Sequence, residues 1–379
     1  MDIKKILKEM ISRGASDLHL KVATPPVLRI NGTLVQAEYT PPSVQDMVAM
    51  AQQILTPSQR ETFENTREID FAFGVPGVAR FRANFYVQRG SVAMVFRHVP
   101  VEIKTTYELG LPPVVKTLAM KPRGLILITG TVGSGKSTTL ASIVDIINRE
   151  SARHVITIED PIEFLHRDRK SIVSQREIGC DTGSYAEALK HVLRQDPDVI
   201  LIGEIRDAES MKIALTAADT GHLVLSTMHT IDATQTISRI ISFFPPHQHQ
   251  EIRFLLASSL QAVVSQRLVA DAEGLNRFVA AEILVATSTI REYIREPEKT
   301  VMIRQAIQEG FVQYQMQTFD QSLMQLYKEG KISLEDATHA SSNPHEFSLR
   351  VKGIQASSDT TWERFEDNNA VGNPEISHS

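Results

Sequence analysis

The residue pattern best suited to phosphate chemistry lies at residues 130–137, where the chain reads Gly-Thr-Val-Gly-Ser-Gly-Lys-Ser. This is the complete G-x-x-x-x-G-K-[ST] pattern, and it lies between an apolar run that predicts a strand and a stretch that predicts a helix. Glycine has no Cβ, so consecutive backbone N–H groups of such a loop can turn toward phosphate oxygens. A glycine-rich turn without a ligand is the alternative, but the fixed glycines with lysine and serine favour a nucleotide site.

The side chains of this loop have distinct predicted roles. Lys136 is expected to reach the terminal phosphates of ATP, and the Ser137 hydroxyl is expected to hold Mg²⁺. The predicted helix that begins here directs the positive end of its dipole at the nucleotide. The predicted nucleotide-binding residues are Gly130, Thr131, Gly133, Ser134, Gly135, Lys136, Ser137 and Thr138.

Polar side chains also follow three further apolar runs, at residues 154–158, 199–203 and 223–226, each of which predicts a strand. Ligands of open α/β sheets bind beyond the carboxyl ends of the strands. We therefore expect the polar residues after these runs to share one edge with the phosphate loop. They are Glu159, Asp160, Glu163, Glu204, Thr227 and His229.

Phosphoryl transfer to water needs a metal ion to neutralise charge and a group to orient the attacking water. Glu204 ends an apolar strand and is predicted to lie near Mg²⁺, directly or through a water. A helix N-cap is its alternative role, which Asp207 fills more naturally. His229 lies at the same edge and is a candidate sensor of the γ-phosphate, although a histidine at a strand end is more often structural.

Three neighbouring acids are candidates for the residue that orients the attacking water. Glu163 follows Pro161, which stiffens the turn and so fixes the direction of the acid; it is our candidate for polarising water. Glu159 and Asp160 are alternatives, which the sequence does not rank against Glu163.

A long hairpin is predicted at residues 79–88 and 91–98, with its arginines on one face. Arg80 and Arg82 alternate with apolar residues in the first strand, and Arg97 lies opposite the apolar residues of the second. A solvated basic face is the simplest interpretation. Because the chain has a phosphate site and no other evident arginine finger, a role at the phosphates is the rival interpretation.

Composition limits the class of protein. The chain has 379 residues, 42% of them hydrophobic, which is enough for two domains. Its net charge of −5 provides no general basic field and argues against a nucleic-acid partner. Its single cysteine excludes an internal disulfide and suits the cytoplasm. No signal peptide or transmembrane segment is predicted, because charges interrupt every apolar run.

The pattern of strands and helices predicts how the chain is divided. Residues 1–98 are predicted to form an α+β domain with an antiparallel sheet, followed by an interdomain linker at residues 99–113. In residues 114–355 short apolar strands alternate with helices, which indicates an α/β domain with a parallel sheet and C-terminal helices. The polar residues 356–379 are expected to be disordered.

Four stretches together resemble the motifs of the secretion and type IV pilus ATPases. Residues 130–138, 156–163, 198–207 and 220–230 are similar to the Walker A motif, Asp box, Walker B motif and His box of that family. The opening Ser-Asp-Leu-His-Leu at residues 16–20, together with the strand of the arginines, resembles the PilT and PilU type of pilus retraction ATPase. The resemblance covers about residues 1–350.

The resemblance implies a PAS-like N-terminal domain, a RecA-like ATPase domain and a ring of six copies with ATP bound between domains and subunits. It implies that Glu163 is the catalytic glutamate and Glu204 the Walker B acid. It also matches Arg82 and Arg97 to the arginines that reach the nucleotide phosphates. The implied function is Mg²⁺-dependent ATP hydrolysis that powers pilus retraction and twitching motility. The implied partner is a PilC-like platform protein at the cytoplasmic face of the inner membrane.

One motif of the retraction ATPases differs in this chain. Residues 289–294 read Thr-Ile-Arg-Glu-Tyr-Ile, where PilT proteins carry Ala-Ile-Arg-Asn-Leu-Ile, a motif associated with retraction. The polar extension after residue 355 is similar to PilU. Two alternatives to a primary motor therefore remain: an accessory ring ATPase that depends on a PilT or PilU paralogue, and a non-motor interaction ring that ATP stabilises.

Overall fold

The computed structural model describes residues 1–30, 32–100, 102–271, 273 and 276–352. The strands are β1 (Asp17–Lys21), β2 (Thr24–Ile30), β3 (Thr33–Gln36), β4 (Glu68–Val75), β5 (Ala79–Gln88), β6 (Ser91–Val99), β7 (Gly124–Thr129), β8 (His154–Glu159), β9 (Ile172–Glu177), β10 (Val199–Ile202), β11 (Leu223–Met228), β12 (Leu260–Ala270) and β13 (Arg277–Val285). The predicted disordered tail, residues 356–379, lies outside the described residues.

The helices lie between and after these strands. They are α1 (Ile3–Ser12), α2 (Val44–Ile54), α3 (Pro57–Thr66), α4 (Val114–Ala119), α5 (Lys136–Glu150), α6 (Tyr185–Val192), α7 (Ala208–Asp219), α8 (Ala233–Ser242), α9 (His249–Ser259), α10 (Ser288–Arg295), α11 (Ile303–Glu309), α12 (Phe311–Tyr314), α13 (Phe319–Lys328), α14 (Leu334–Ala340) and α15 (Pro344–Val351). Short 3₁₀ helices occupy Pro246–Gln248 and Pro297–Met302.

The chain forms two compact units. The first contains Met1–Glu102, Asp160–His166 and Glu177–Gly183, and the second contains Ile103–Glu159, Arg167–Arg176 and the described residues from Ser184 to Lys352. The predicted domains are continuous along the chain, whereas the first unit includes two segments that come much later in the sequence.

The first unit is built on a six-stranded sheet in the order β3-β2-β1-β6-β5-β4. All of its paired neighbours are antiparallel, as expected for the N-terminal domain. Alternation in β5 buries Phe81, Ala83 and Phe85 on one face, because successive side chains point to opposite sides. Phe85 packs edge-on against Phe71 and Phe96, with ring centroids 5.1 and 5.7 Å apart. An aromatic cluster therefore forms the centre of this core.

The second unit is built on a seven-stranded sheet in the order β13-β12-β7-β11-β10-β8-β9. Strands β12, β7, β11, β10 and β8 run parallel to one another, and β13 is antiparallel to β12. Every residue of β7, β10 and β11 is buried, since helices cover both faces of such a sheet. The predicted α/β fold class with a parallel-sheet core is confirmed.

The register of these strands decides which residues meet at the sheet edge. Thr129 pairs with Met228, and Ile202 pairs with both Ser226 and Ile158. The segments that follow β7, β11, β10 and β8 therefore leave the sheet at a common edge. Within the described part of the chain, no helix has the length and apolarity needed to cross a bilayer.

Truncation of Phe85 tests the aromatic core. Phe85→Ala should lower the free energy of unfolding of the first unit by about 3–5 kcal/mol, because it removes a fully buried ring and leaves a cavity. Leu34→Ala is the control, since Leu34 is 54% exposed and its loss should change stability by no more than about 0.5 kcal/mol. Urea unfolding measures both; equal effects would contradict this packing.

Candidate functional site

The predicted phosphate loop joins β7 to α5 and depends on glycine backbone geometry. Gly130, Gly133 and Gly135 have φ values of +145°, +80° and +92°, a region that other residues rarely adopt. A Cβ on Gly130 would lie 2.5 Å from both the Gln266 carbonyl oxygen and Ser134 Oγ. Only glycine fits at this position.

Lys136 is folded back against the loop. Its Nζ donates hydrogen bonds to the carbonyl oxygens of Gly130 at 2.8 Å and Thr131 at 2.9 Å. Lys136 is also the first residue of α5, and within the described ranges no side chain caps this helix at Gly135. A helix N-terminus without a side-chain cap suits an anion, because its first N–H groups and its dipole both favour negative charge.

Ser134 supplies an independent indication of a ligand. Its side chain is buried, yet Ser134 Oγ has no hydrogen-bond partner among the described residues. A buried hydroxyl without a partner costs free energy that a phosphate oxygen would recover. The loop residues therefore fit a nucleotide polyphosphate.

Glu204 and His229 meet at the same sheet edge, beyond β10 and β11. Glu204 Oε1 lies 3.2 Å from His229 Nε2, and Glu204 Oε2 accepts a hydrogen bond from Arg206 at 2.6 Å. Burial alone would raise the pKa of Glu204, but the hydrogen bond from Arg206 and the neighbouring His229 outweigh it and lower the pKa below its ordinary value. The side chain is thus an ionised carboxylate, the form that binds a hard cation.

Hydrogen bonds hold this edge together. Thr227 Oγ1 donates to the Gly203 carbonyl oxygen at 2.7 Å, and the Ile205 N–H donates to the Thr227 carbonyl oxygen at 3.1 Å. Asp207 caps α7 by accepting from the Ser210 N–H at 2.8 Å. Glu204 is therefore not needed as a cap.

No group of three His, Cys, Asp or Glu residues in the described ranges is placed to hold a metal ion. Ser137 and Glu204 both follow strands that end at this edge, and both offer oxygen atoms, the donor that Mg²⁺ prefers. A Mg²⁺ ion here would depend on these two side chains, on water and on the phosphates of the nucleotide.

The three candidate acids for water activation differ in their surroundings. Glu159 Oε1 accepts hydrogen bonds from Thr157 Oγ1 at 2.7 Å and Gln175 Nε2 at 3.2 Å. This oxygen is therefore already engaged in contacts that stabilise the fold. Asp160 and Glu163 belong to the segment that the first unit includes. Which acid orients water stays a prediction, with Glu163 as our candidate.

The predicted arginines lie side by side in the first unit. Arg82 of β5 pairs in register with Arg97 of β6, which in turn pairs with Asp17 of β1. Arg97 Nε donates to Asp17 Oδ1 at 2.8 Å. Burial would raise the pKa of Asp17, but hydrogen bonds from Ser16 and Arg97 lower it below its ordinary value. Both arginines line a cleft of about 730 Å³ within this unit.

Glu282 was missed by our sequence reasoning. It lies on β13 with 5% of its surface exposed, and its Oε1 accepts a hydrogen bond at 2.9 Å from the N–H of Ala233, the first residue of α8. This helix starts four residues after His229, so Glu282 supports the segment that follows β11. A lone acid within the apolar run of β13 was the available signal.

A phosphate loop between a buried parallel strand and a helix, with a carboxylate and a histidine beyond the adjoining strands, defines a P-loop nucleotide-binding protein of the α/β class. The particular family follows from comparison of the whole chain. Residues 1–361 match the Type II/IV secretion system protein family, and the chain belongs to it.

Relatives within this family are similar over nearly the whole chain. The Type IV pilus retractation ATPase PilT of Pseudomonas aeruginosa is 44% identical over 92% of this chain and 100% of that protein. The Type IV pilus ATPase PilU of the same organism is 39% identical over 93% of this chain and 92% of that protein. A crystal structure of the pilus retraction motor PilT with bound ADP is 46% identical, with a TM-score of 0.84, over 91% of this chain and 98% of that chain.

The buried Glu282 makes stability depend on pH. Burial, reinforced by Asp232, raises its pKa to about 7, against the opposing effects of the Ala233 N–H, Arg267 and Arg304. A carboxyl whose pKa is raised on folding stabilises the folded state below its ordinary pKa. It loses that contribution as the pH rises through the raised value.

Glu282→Gln should therefore unfold with a flatter pH profile than the parent chain. We compare the free energy of unfolding of Glu282→Gln with that of the parent at each pH. The difference in favour of the variant should be about 1–3 kcal/mol larger at pH 8 than at pH 5, because glutamine keeps the oxygen acceptor and carries no charge. Urea unfolding between pH 5 and 8 measures this, with the exposed Glu64→Gln as control. Parallel profiles for Glu282→Gln and the parent would contradict a raised pKa.

Proposed function

We propose that this chain is an ATP-hydrolysing motor subunit that powers the retraction of type IV pili. The observation that carries the proposal is the phosphate loop on the same sheet edge as the Glu204–His229 pair, with a Ser134 hydroxyl that finds no partner among the residues described. The relatives named for pilus retraction extend over the whole length of the ATPase core and the N-terminal sheet. ATP and Mg²⁺ are the proposed ligands.

Each side chain has a proposed part in hydrolysis. Lys136 and the loop N–H groups bind the phosphates. Ser137 and Glu204 would hold Mg²⁺, which would supply charge neutralisation at the phosphoryl oxygens. Glu163 orients the attacking water. His229, which is paired with Glu204 at the end of β11, senses the γ-phosphate.

The arginines are proposed to act on a nucleotide bound between subunits of a six-membered ring. Arg82 and Arg97 would stabilise the charge that develops on the transferred group, as arginines do in other P-loop enzymes. The proposed partner is a PilC-like platform protein at the inner face of the cytoplasmic membrane. The ring turns this platform protein.

A second candidate function is an accessory ATPase that works beside a PilT or PilU paralogue. It is favoured by α10, where Glu292 and Tyr293 replace the Asn-Leu of the retraction motif. Glu292 is exposed and pairs with Lys299 at 2.6 Å, so the substitution alters the charge of this surface. Deletion of the gene separates the two: loss of twitching indicates the primary motor, and persistence indicates an accessory role.

Removal of Lys136 tests the ATPase proposal directly. Lys136→Ala should lower the steady-state rate of ATP hydrolysis by about 100-fold or more, because the terminal phosphates lose their buried cation. Lys190→Ala is the matched control, since its ammonium forms an exposed pair with Glu209. Normal turnover by folded, assembled Lys136→Ala protein would defeat the mechanism.

The arginines can be tested separately from the phosphate loop. Arg82→Ala and Arg97→Ala should each lower kcat by about 10³-fold while changing nucleotide affinity little, because they act on charge that develops during transfer. Steady-state kinetics and binding of a fluorescent nucleotide measure the two quantities. Equal losses of both, with dissociation of the ring, would instead indicate a structural role.

A further inference from the structure

The loop that carries Glu163 is attached to the N-terminal sheet through one buried carboxylate. Glu177, whose side chain is 2% exposed, accepts hydrogen bonds at its Oε2 from Arg80 Nη2 at 3.0 Å and from the N–H of Ile162 at 3.1 Å. Arg80 lies on β5, and Ile162 is the residue immediately before Glu163. A single oxygen atom thus joins the sheet to the backbone beside the proposed catalytic acid.

Glu177 is itself held by the turn that follows it. Its N–H donates to Asp181 Oδ2 at 2.8 Å, and its carbonyl oxygen accepts from the Asp181 N–H, also at 2.8 Å. Cys180 Sγ lies 3.4 Å from its other carboxylate oxygen. The side chain therefore has little freedom, and it transmits the position of Arg80 to Ile162.

The loop has a second attachment to the same unit. The N–H of Leu165 donates to the Pro100 carbonyl oxygen at 3.4 Å, and Ile162 is buried at 3% exposure. Glu163 lies between these two fixed points. Its backbone therefore follows the N-terminal sheet, as the inclusion of Asp160–His166 in the first unit also shows.

Arg80 differs from Arg97, on the same face, in how far it is buried. The side chain of Arg80 is 24% exposed, whereas that of Arg97 is 63% exposed. A buried guanidinium committed to a buried carboxylate is not available to a phosphate. Removal of either partner would leave an uncompensated charge, which forces the segment to rearrange.

We propose that Arg80 and Glu177 are positioning residues, which hold the Glu163 loop on the N-terminal sheet and thereby set the direction of the group that activates water. This inference rests on the proposed ATPase function. Glu163 belongs to the first compact unit and the phosphate loop to the second, so the two can be perturbed separately. Phosphate binding should then persist when the attachment is broken, while turnover should fall.

The test compares four variants of the 379-residue chain: Arg80→Met, Arg80→Lys, Glu177→Gln and the double variant Arg80→Met/Glu177→Gln. Arg80→Met should lower kcat by about 10- to 100-fold, because small displacements of a catalytic group are costly, while the Kd for a fluorescent ATP analogue changes less than about twofold. Arg80→Lys keeps the charge and should recover most of the rate. The double variant should be no slower than the slower single variant, because the two residues act as one unit.

A matched control is the Arg13–Glu9 pair on α1, an exposed ion pair of the same unit at 3.3 Å. Arg13→Met should leave kcat unchanged, since such pairs contribute little. If folded, assembled Arg80→Met turned over normally, the proposal would be overturned. It would also be overturned if kcat and nucleotide affinity fell together in all variants, since that pattern indicates a purely structural contact.

Hydrogen–deuterium exchange provides a readout that does not require turnover. The amides of residues 160 and 162–166 should exchange faster in Arg80→Met and Glu177→Gln than in Arg13→Met, because the Glu177 side-chain oxygen that accepts from the Ile162 N–H is no longer held in place by the Arg80–Glu177 ion pair. Unchanged exchange would overturn the attachment itself. If the parent chain proved unable to hydrolyse ATP even with platform protein, the proposed function would fail, and exchange would still decide whether Arg80 and Glu177 hold this loop.

Discussion

The register between parallel strands is the constraint on which the site depends. Backbone hydrogen bonds set Thr129 beside Met228 and Ile202 beside Ser226, so the segments after β7, β11 and β10 must leave the sheet together. A shift of two residues would keep the apolar faces buried and still separate Glu204 from His229. The buried, fully apolar strands make such a shift costly, because every residue of the three strands is packed. The chemistry is therefore positioned by the core.

The features that the sequence predicted are those in which chemistry and local geometry coincide. The phosphate loop needs glycine where φ is positive, so the positions of its glycines in the sequence indicate its backbone conformation. Gly130 is an example. The meeting of Glu204 with His229 followed from a general rule about parallel sheets. In β5 the alternation of arginines with aromatic residues correctly separated the core face from the polar face.

The features that escaped sequence reasoning depend on contacts between distant residues. Arg80 and Glu177 are 97 positions apart, and Arg97 and Asp17 are 80 apart, so no local period can pair them. The inclusion of Asp160–His166 in the first unit was not predicted for the same reason. Changes of composition along the chain indicate only domains that are continuous in sequence. Glu282 combines both cases: its isolation in an apolar strand was visible, but its partner at the start of α8 was not.

On the N-terminal sheet, the contacts still open to an arginine depend on the carboxylate with which it is paired. Glu177 is buried and binds a terminal nitrogen of Arg80, so that guanidinium is committed to the fold. Asp17 binds only the Nε of Arg97, and most of the Arg97 side chain remains exposed. A guanidinium held at Nε keeps its two terminal nitrogens for a bidentate contact with phosphate, and it has already lost part of its conformational freedom. Two arginines on neighbouring strands of one face thus differ in what their carboxylates leave exposed, and only Arg97 keeps most of its side chain accessible.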